Sequence, residues 1–327
     1  VFHACLRNSI VGAGRATLGE PRDRGLGDDL GNRCRRGLHA AGAGHIADGA
    51  EPHGLFDDVL VLARLQVLVH REQHAVALED LTLMGVVDRG QLDALAEDFI
   101  RSGGGVPNFQ LVPGYVNTLC TSVGDEIVHG IPGDRVLRDG DLLSIDCGAE
   151  VDGWNGDSAI TLVVGGDAAG DPAAVRLNEV TRRSLWAGLA ALRPGGDLND
   201  IGGAVEDSIT DDARADGVDY GIVQDYTGHA IGEHMHLPPN VPNYREPGRQ
   251  PRTPVGTTLA IEPMVTLGDQ ANHVLPDEWT VVTDDGSVAS HWEHTVALTE
   301  RGLWVLTALD GGEAELTALG APFGPLD

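Results

Sequence analysis

Five short segments of the chain each carry one acidic or imidazole side chain that could bind a metal ion. They are Asp146 in SIDCG, Asp157 in NGDSA, His229 in TGHAIG, Glu262 in AIEPM and Glu293 in HWEHT. One imidazole nitrogen with four carboxylates suits two divalent cations that share carboxylates better than one tetrahedral zinc ion. Two adjacent cations can activate a water molecule for attack on an amide carbonyl, so the residues indicate metal-dependent peptide hydrolysis.

The spacing of Asp146 and Asp157 is typical of a β-hairpin. Two apolar, β-branched runs, 141–150 and 158–165, flank the turn dipeptide Asp152-Gly153. The two aspartates lie about equally far from the turn, so we expect them to oppose each other across the hairpin. Opposed like charges destabilise a strand pair unless a cation neutralises them. Two surface aspartates in an acidic protein are the alternative, and the apolar flanks favour ligands.

Glu262 and Glu293 lie in the apolar runs LAIEPMV and HWEHTVAL. Burying an unpaired carboxylate costs several kcal/mol, so each should be paired or bound to metal. The two glutamates together indicate a metal site.

Histidines supply further candidates. His229, His234 and His236 fall within eight residues, next to glycines, and ligand and ordinary polar roles are about equally supported for them. His129 lies in the turn-like segment EIVHGIPGD. A neutral imidazole there could donate a hydrogen bond to a developing oxyanion, or could be an ordinary loop histidine.

The elements that must position these side chains indicate an α+β domain. Apolar spacing predicts helices over 91–102, 173–192 and 198–215. Strand-like runs follow at 257–267, 279–283, 291–298 and 303–307. We therefore expect an antiparallel sheet covered by helices on one side. The tail 311–327 is expected to be peripheral.

Composition limits the classes of function. The chain has 327 residues and a net charge of −28, and all its basic residues are arginines. Such a surface repels nucleic acid and anionic membranes. No apolar run is long enough to span a bilayer, and the first residues do not resemble a secretory signal. Four cysteines without a C-x-x-C pair indicate reduced thiols in a cytoplasmic protein.

Residues 1–88 differ from the remainder. The first 80 residues hold six of the thirteen histidines and have a nearly balanced charge. The apolar residues in most of this stretch follow neither helical nor strand periodicity. We expect an atypical N-terminal region that is disordered or mistranslated. The catalytic domain is expected over 89–310.

Taken in order, the segments resemble a type I methionine aminopeptidase of the pita-bread metallopeptidase family. The resemblance covers about residues 90–310. Its segments are GDEIVHGIPG (124–133), DGDLLSIDCGAEVDGWNGDSA (139–159), GHAIGEHMH (228–236), AIEPM (260–264) and SHWEHTVALT (290–299). The family implies an α+β fold with a pseudo-two-fold axis. It also implies an enzyme that removes the N-terminal methionine from proteins and peptides with a small second residue.

The resemblance also implies the ligands of two divalent metal ions (Co, Mn, Fe, Zn or similar). One ion would be held by Asp146 and Asp157. The other would be held by Asp157, His229, Glu262 and Glu293, with Asp157 and Glu293 bridging the two ions.

Glu262 is implied as the acceptor of the proton from the attacking water, and His129 and His236 as substrate contacts near the scissile amide. The methionine side chain would contact Tyr115, Cys120, Met235 and Trp279, with Phe109 and Val112 nearby. Expected partners are nascent polypeptide N-termini, with the ribosome left open, and the expected state is a monomer.

The sequence departs from the family at Gly114-Tyr115-Val116, where a proline usually follows the aromatic residue. The amino-acid sequence also lacks a segment that resembles the first helix expected for the family. Three alternatives stay open: an Xaa-Pro aminopeptidase or prolidase-like enzyme, a non-catalytic binding protein of the same fold, and an inactive, truncated family member.

Overall fold

A computed structural model describes residues 88–325. Apart from Asp88, the region 1–88 lies outside the described residues, so its expected disorder or mistranslation stays a prediction. Within 88–325 no helix is both long and apolar enough to cross a bilayer. The described residues form four α-helices and 17 β-strands.

The first helix, α1 (Arg89–Ser102), forms where the apolar spacing predicts it. The Asp88 side chain caps it by accepting a hydrogen bond from the Gln91 N–H. Leu92, Ala96 and Ile100, each four residues apart, lie on its buried face. This face packs on the strands that lead to Asp146.

Two longer helices cover the sheets. Helix α2 (Pro172–Ala191) begins after the Asp171 cap, and α3 (Leu198–Asp216) begins with a reciprocal cap between Asp197 and Asp200. Helix α3 ends at Gly217, whose φ of 66° lies in the left-handed region. Both helices bury leucine, isoleucine and valine side chains against the strands below them.

The strands are short except for one hairpin. They are β1 (Val106–Pro107), β2 (Leu119–Val123), β3 (Glu126–Val128), β4 (Leu142–Val151), β5 (Trp154–Val163), β6 (Gly196–Asp197), β7 (Gly221–Ile222), β8 (Gly228–Ala230), β9 (Leu237–Val241), β10 (Arg252–Thr253), β11 (Thr258–Ile261), β12 (Met264–Thr266), β13 (Asn272–Val274), β14 (Val281–Thr283), β15 (Ala289–His291), β16 (His294–Leu298) and β17 (Leu303–Val305). Every strand pair among them is antiparallel.

The predicted hairpin is β4–β5, and its turn is Asp152-Gly153. Both turn residues have positive φ, 50° and 87°, as a two-residue hairpin turn of the primed type requires. The expected opposition of the two aspartates is wrong. Asp157 faces Gly148 and Asp146 faces Ala159, so the aspartates are diagonal neighbours on one face of the hairpin.

Two strands predicted as continuous are each interrupted. The run 257–267 forms β11 and β12, with Glu262-Pro263 between them, and the run 291–298 forms parts of β15 and β16, with Trp292-Glu293 between them. Strands β11 and β16 join a five-stranded sheet, in the order β17-β16-β11-β8-β9, whereas β12 and β15 join a three-stranded sheet, in the order β15-β12-β7.

The C-terminal segment is more closely packed than its composition predicts. It forms α4 (Glu313–Ala318), whose Leu316 side chain is fully buried beside α2. The α+β fold class, with helices covering antiparallel sheets, is confirmed.

Candidate metal centre

Three of the five candidate ligands converge directly. Asp157, His229 and Glu293 each offer one ligand atom, and these atoms lie within 4.8 Å of one another. All three residues are buried. Asp157 lies on β5, His229 on β8, and Glu293 at the break before β16, so the cluster joins three separate parts of the sequence.

Glu262 lies against this cluster because of the strand pairing. Ile261 pairs with His294 and Met264 pairs with His291, and this constant register brings Glu262 opposite Glu293 at the two strand breaks. The Oε1 atom of Glu262 lies 3.7 Å from Nε2 of His229. Two carboxylates opposed in this way repel each other unless a positive charge lies between them.

Asp146 completes the set from the neighbouring strand. It shares a hairpin face with Asp157, and across β2 it pairs with Cys120. One carboxylate oxygen of Asp146 and one of Glu293 are buried without a hydrogen-bond partner. Buried oxygens of this kind are the ligand atoms that hard divalent cations prefer, so the residues fit a metal centre.

The carboxyl groups in the cluster cannot all ionise easily. Burial, followed by the charge of Asp157, raises the pKa of Asp146, Glu262 and Glu293 well above the ordinary values, and burial raises the pKa of Asp157 to about 7. A bound cation removes this penalty because it stabilises the ionised forms.

His229 is poised as a neutral ligand. Burial, with a smaller contribution from His236, lowers the pKa of His229 to about 4. Its Nδ1 atom lies 3.1 Å from the carbonyl oxygen of Ala230. A proton on Nδ1 satisfies that carbonyl and leaves the lone pair of Nε2 facing the carboxylates.

Of the two candidate substrate histidines, His236 lies beside His229, and His129 lies near His236. The His236 ring is 4.4 Å from the His229 ring, edge to face, and the His236 side chain is exposed. The centroid of the His129 ring lies 5.6 Å from that of the Tyr226 ring. The backbone φ of His129 is 59°. Burial, then His236, lowers the pKa of His129 to about 4, so its imidazole is neutral near pH 7. His234, in contrast, is exposed.

An apolar cluster adjoins the acids. Phe109, Tyr115 and Cys120 are buried together, and they are surrounded by Val112, Ile131, Met235 and Trp279. The structure therefore brings together all six residues that the resemblance proposed for a methionine side chain, and it adds Ile131. Hereafter these seven residues are called the apolar cluster.

Sequence reasoning missed His291. This side chain is buried, and its Nε2 lies 3.6 Å from Oε2 of Glu262. Burial, then the proximity of His129, lowers the pKa of His291 to about 3. Its position two residues before Glu293 in HWEHT was a signal, but sequence alone did not show that Glu262 lies across the strand pair.

Buried carboxylates and a neutral imidazole between antiparallel sheets define a metallopeptidase of the pita-bread class. The model of metallopeptidase family M24 matches residues 67–300, and the chain belongs to this family. The match begins within the region 1–88, and the domain boundary at residue 88 stays a prediction. Family membership implies the use of a divalent metal.

Similar proteins narrow the class further. The chain is 49% identical to methionine aminopeptidase 1 of Mycobacterium tuberculosis (strain CDC 1551 / Oshkosh) over 217 residues, which are 66% of this chain and 80% of that protein. It is 43% identical to methionine aminopeptidase 1 of Bacillus subtilis (strain 168), over 66% of this chain and 84% of that protein. The crystal structure of methionine aminopeptidase from Thermotoga maritima matches with a TM-score of 0.69 and 32% identity, over 81% of this chain and 99% of that one. The resemblance of the sequence to a methionine aminopeptidase is confirmed.

Proposed function

We propose that this enzyme removes the N-terminal methionine from nascent proteins and peptides with a small second residue, with two divalent cations bound. The observation that carries the proposal is the convergence of four carboxylates and one neutral imidazole beside the apolar cluster.

The ligand assignment is the one that the resemblance to the family implies. Asp146 and Asp157, on one hairpin face, would hold one ion. Asp157, His229, Glu262 and Glu293 would hold the other, and Asp157 and Glu293 would be shared. When bound, such cations supply Lewis acidity that polarises a carbonyl and acidifies water. Co, Mn, Fe and Zn all suit this oxygen and nitrogen set, and their availability would decide between them.

Glu262 is the proposed proton acceptor. Its Oε1 lies 3.7 Å from Nε2 of His229 and its Oε2 lies 3.6 Å from Nε2 of His291, and its side chain is 14% exposed, so the carboxylate lies between two imidazoles. Removal of a proton from the attacking water requires an ionised carboxylate, which the cations would maintain. His129 and His236 would then donate hydrogen bonds to the substrate near the scissile amide, because both can be neutral donors.

The apolar cluster would select the first residue of the substrate. Burying a methionine side chain contributes about 1.5–3 kcal/mol, so the shape of the site decides selectivity more than charge does. The Cys120 thiol fits such a role as a small buried group, because burial, then Asp146, raises its pKa well above the ordinary value. A small second residue is proposed because the scissile amide must approach the buried carboxylates closely.

The proposed substrates are polypeptides as they emerge from the ribosome, processed by a monomer in the cytoplasm. The net charge of −28 would attract the ammonium group of a substrate and disfavour nucleic acid. The free thiols of Cys120 and Cys147 support a reducing compartment.

The test compares cleavage of Met-Gly-Met-Met with cleavage of Xaa-Pro peptides, with and without added Co(II) or Mn(II). We expect metal-dependent release of methionine and a loss of kcat of about 10²–10⁴-fold in Glu262→Gln. Glu233→Gln, at an exposed position of the loop between β8 and β9, is the matched control. A preference for Xaa-Pro peptides, or full activity of Glu262→Gln, would contradict the proposal.

A further inference from the structure

Asp93 is a buried carboxylate that the proposed reaction does not use. It lies on α1, and the residue is 8% exposed. Its Oδ1 accepts hydrogen bonds from the backbone N–H groups of Thr118 and Leu119, both at 2.8 Å, and its Oδ2 accepts one from the Asn117 side chain at 3.1 Å. One side chain of the helix thus holds three consecutive residues of a distant loop.

The loop that Asp93 holds leads from the apolar cluster into β2. The hydroxyl of Tyr115 donates a hydrogen bond to the Leu119 carbonyl oxygen at 2.7 Å. Leu119 therefore donates its N–H to Asp93 and accepts the Tyr115 hydroxyl at its carbonyl oxygen. It thereby links the two side chains. The Tyr115 ring in turn contacts Trp279 edge to face, at a centroid distance of 4.9 Å.

The part of the loop next to Tyr115 has little burial of its own. Gly114 has a φ of 93°, and Val116 is 80% exposed. Cys120, at the other end of the held segment, is buried and pairs with Asp146 across the sheet. The hydrogen bonds of Asp93 therefore fix Leu119, which binds the Tyr115 hydroxyl and directly precedes Cys120 in β2. A carboxylate suits this role because its hydrogen bonds to N–H groups are stronger than those of a neutral acceptor.

We propose that Asp93 is a positioning residue for the apolar cluster, and that it sets the affinity of the enzyme for methionyl substrates without touching them. The proposal rests on the proposed function, since it takes methionine as the group that the cluster binds. Loss of the three hydrogen bonds would leave the cluster looser, so ground state and transition state would both be bound more weakly. The signature is a higher KM with a nearly unchanged kcat.

The experiment uses the full chain loaded with Mn(II) and the substrate Met-Gly-Met-Met. We expect Asp93→Ala to raise KM by about tenfold, with kcat changed by less than about twofold. Asp93→Asn should have a smaller effect, because its oxygen can still accept from both backbone N–H groups. Amide hydrogen exchange of residues 117–120 should be faster in both variants, whereas exchange of Gly228–Ala230 should stay as in the wild type.

Two controls on the same helix separate positioning from stability. Asp98→Asn makes the same change of charge at an exposed position, and Ile100→Val destabilises the buried face of α1. Neither should change KM. An equal rise of KM in Ile100→Val, or an unchanged KM in Asp93→Ala, would overturn the proposal.

Two further outcomes also test the proposal. If Asp93→Ala does not fold, Asp93→Asn carries the test, and unchanged exchange of 117–120 in that variant would overturn the proposal. If the wild-type enzyme cleaves no methionyl peptide, the proposed function fails. Faster exchange of 117–120 in Asp93→Asn would even then support the anchoring role of Asp93.

Discussion

Thr295 holds the backbone of Asp157 on both sides. Its hydroxyl donates a hydrogen bond to the Asp157 carbonyl oxygen at 2.8 Å and accepts one from the Asp157 N–H at 3.1 Å. All these groups are buried, and Asp157 and Thr295 lie in different sheets. A side chain two residues after Glu293 thus fixes the other ligand that is proposed to bridge the ions.

Removal of this hydroxyl should weaken metal binding. Thr295→Val keeps the shape but leaves the Asp157 N–H and carbonyl unpaired, and the loss of such a supporting contact typically lowers metal affinity about 10–100-fold. Thr295→Ser should retain most of the affinity. Titration with Mn(II), followed calorimetrically, measures both variants. Wild-type affinity in Thr295→Val would show that Asp157 is held adequately by other contacts.

A methyl group at position 148 should disturb the apolar cluster. A Cβ added to Gly148 would lie 3.1 Å from Cε of Met235 and 3.2 Å from Cε1 of Phe109. Gly148→Ala should therefore crowd the methionine site, raise KM by up to about tenfold, and cost about 1–3 kcal/mol of stability. Gly133→Ala is the control, because nothing lies within 4 Å of its Cβ position. Equal KM values for the two variants would contradict the prediction.

Metal binding should release protons. Burial and mutual charge raise the pKa of Asp146, Glu262 and Glu293, and burial raises that of Asp157 to about 7, so a cation must displace protons at neutral pH. Groups with a raised folded pKa stabilise the metal-free protein at low pH, and this stability is lost as pH rises through the folded pKa.

The stabilisation by Mn(II) should consequently be larger at pH 8 than at pH 6. Melting temperatures with and without the ion at both pH values measure this difference. Calorimetry in two buffers with different ionisation enthalpies counts the released protons. A stabilisation that does not change with pH would show that these carboxyl groups are ionised before metal binds.

His129 should make the protein sensitive to acid. Its folded pKa of about 4 lies below the ordinary value of 6.5, because the ring is buried and lies near His236. As pH falls below 6.5, the unfolded state binds a proton first, so the stability contributed by His129 is lost as pH falls through the folded value. This amounts to about 2 kcal/mol at pH 5.

The variant His129→Asn should lose less stability than the wild type between pH 7 and pH 5, since asparagine tolerates the left-handed backbone. His234→Asn, at an exposed position, is the control. Urea unfolding at both pH values, at equal metal content, measures the difference. The same loss in wild type and His129→Asn would contradict the folded pKa.

Local patterns predicted the elements but not all of their pairing. The Asp152-Gly153 turn was evident from sequence, and a two-residue turn fixes the register by placing Val151 opposite Trp154. The expected opposition failed because Asp146 lies six residues before Asp152 whereas Asp157 lies four residues after Gly153. Residues Trp154–Asp157, which precede the apolar run, extend β5 towards the turn. They are held there by distant partners: Asn155, for example, contacts the side chain of Asn108 and the carbonyl of Gly232. Hydrogen bonds over such separations leave no periodic signal in the sequence.

The same limit explains the broken strands and the missed residues. The apolar run around Glu262 continues through the break, so period alone predicts one strand. Pro263 was a local signal of the break, because proline cannot donate to a strand ladder, and the partner break at Trp292-Glu293 lies opposite it in the fold. Asp93 looked like any polar helix residue because its partners lie 24 to 26 residues away. The ligands were easier to find, since carboxylates within apolar runs are unusual anywhere in a chain.

Glu293 and Ala159 exchange two backbone hydrogen bonds, at 2.8 and 3.3 Å, so β5 is tied to the chain just before β16 at the level of the acids. Bound ions would thus link two sheets that are otherwise joined at this level by a few hydrogen bonds. A chelator should therefore shorten the lifetime of the folded enzyme as well as stop its chemistry, and cells short of metal would lose the protein itself to proteolysis.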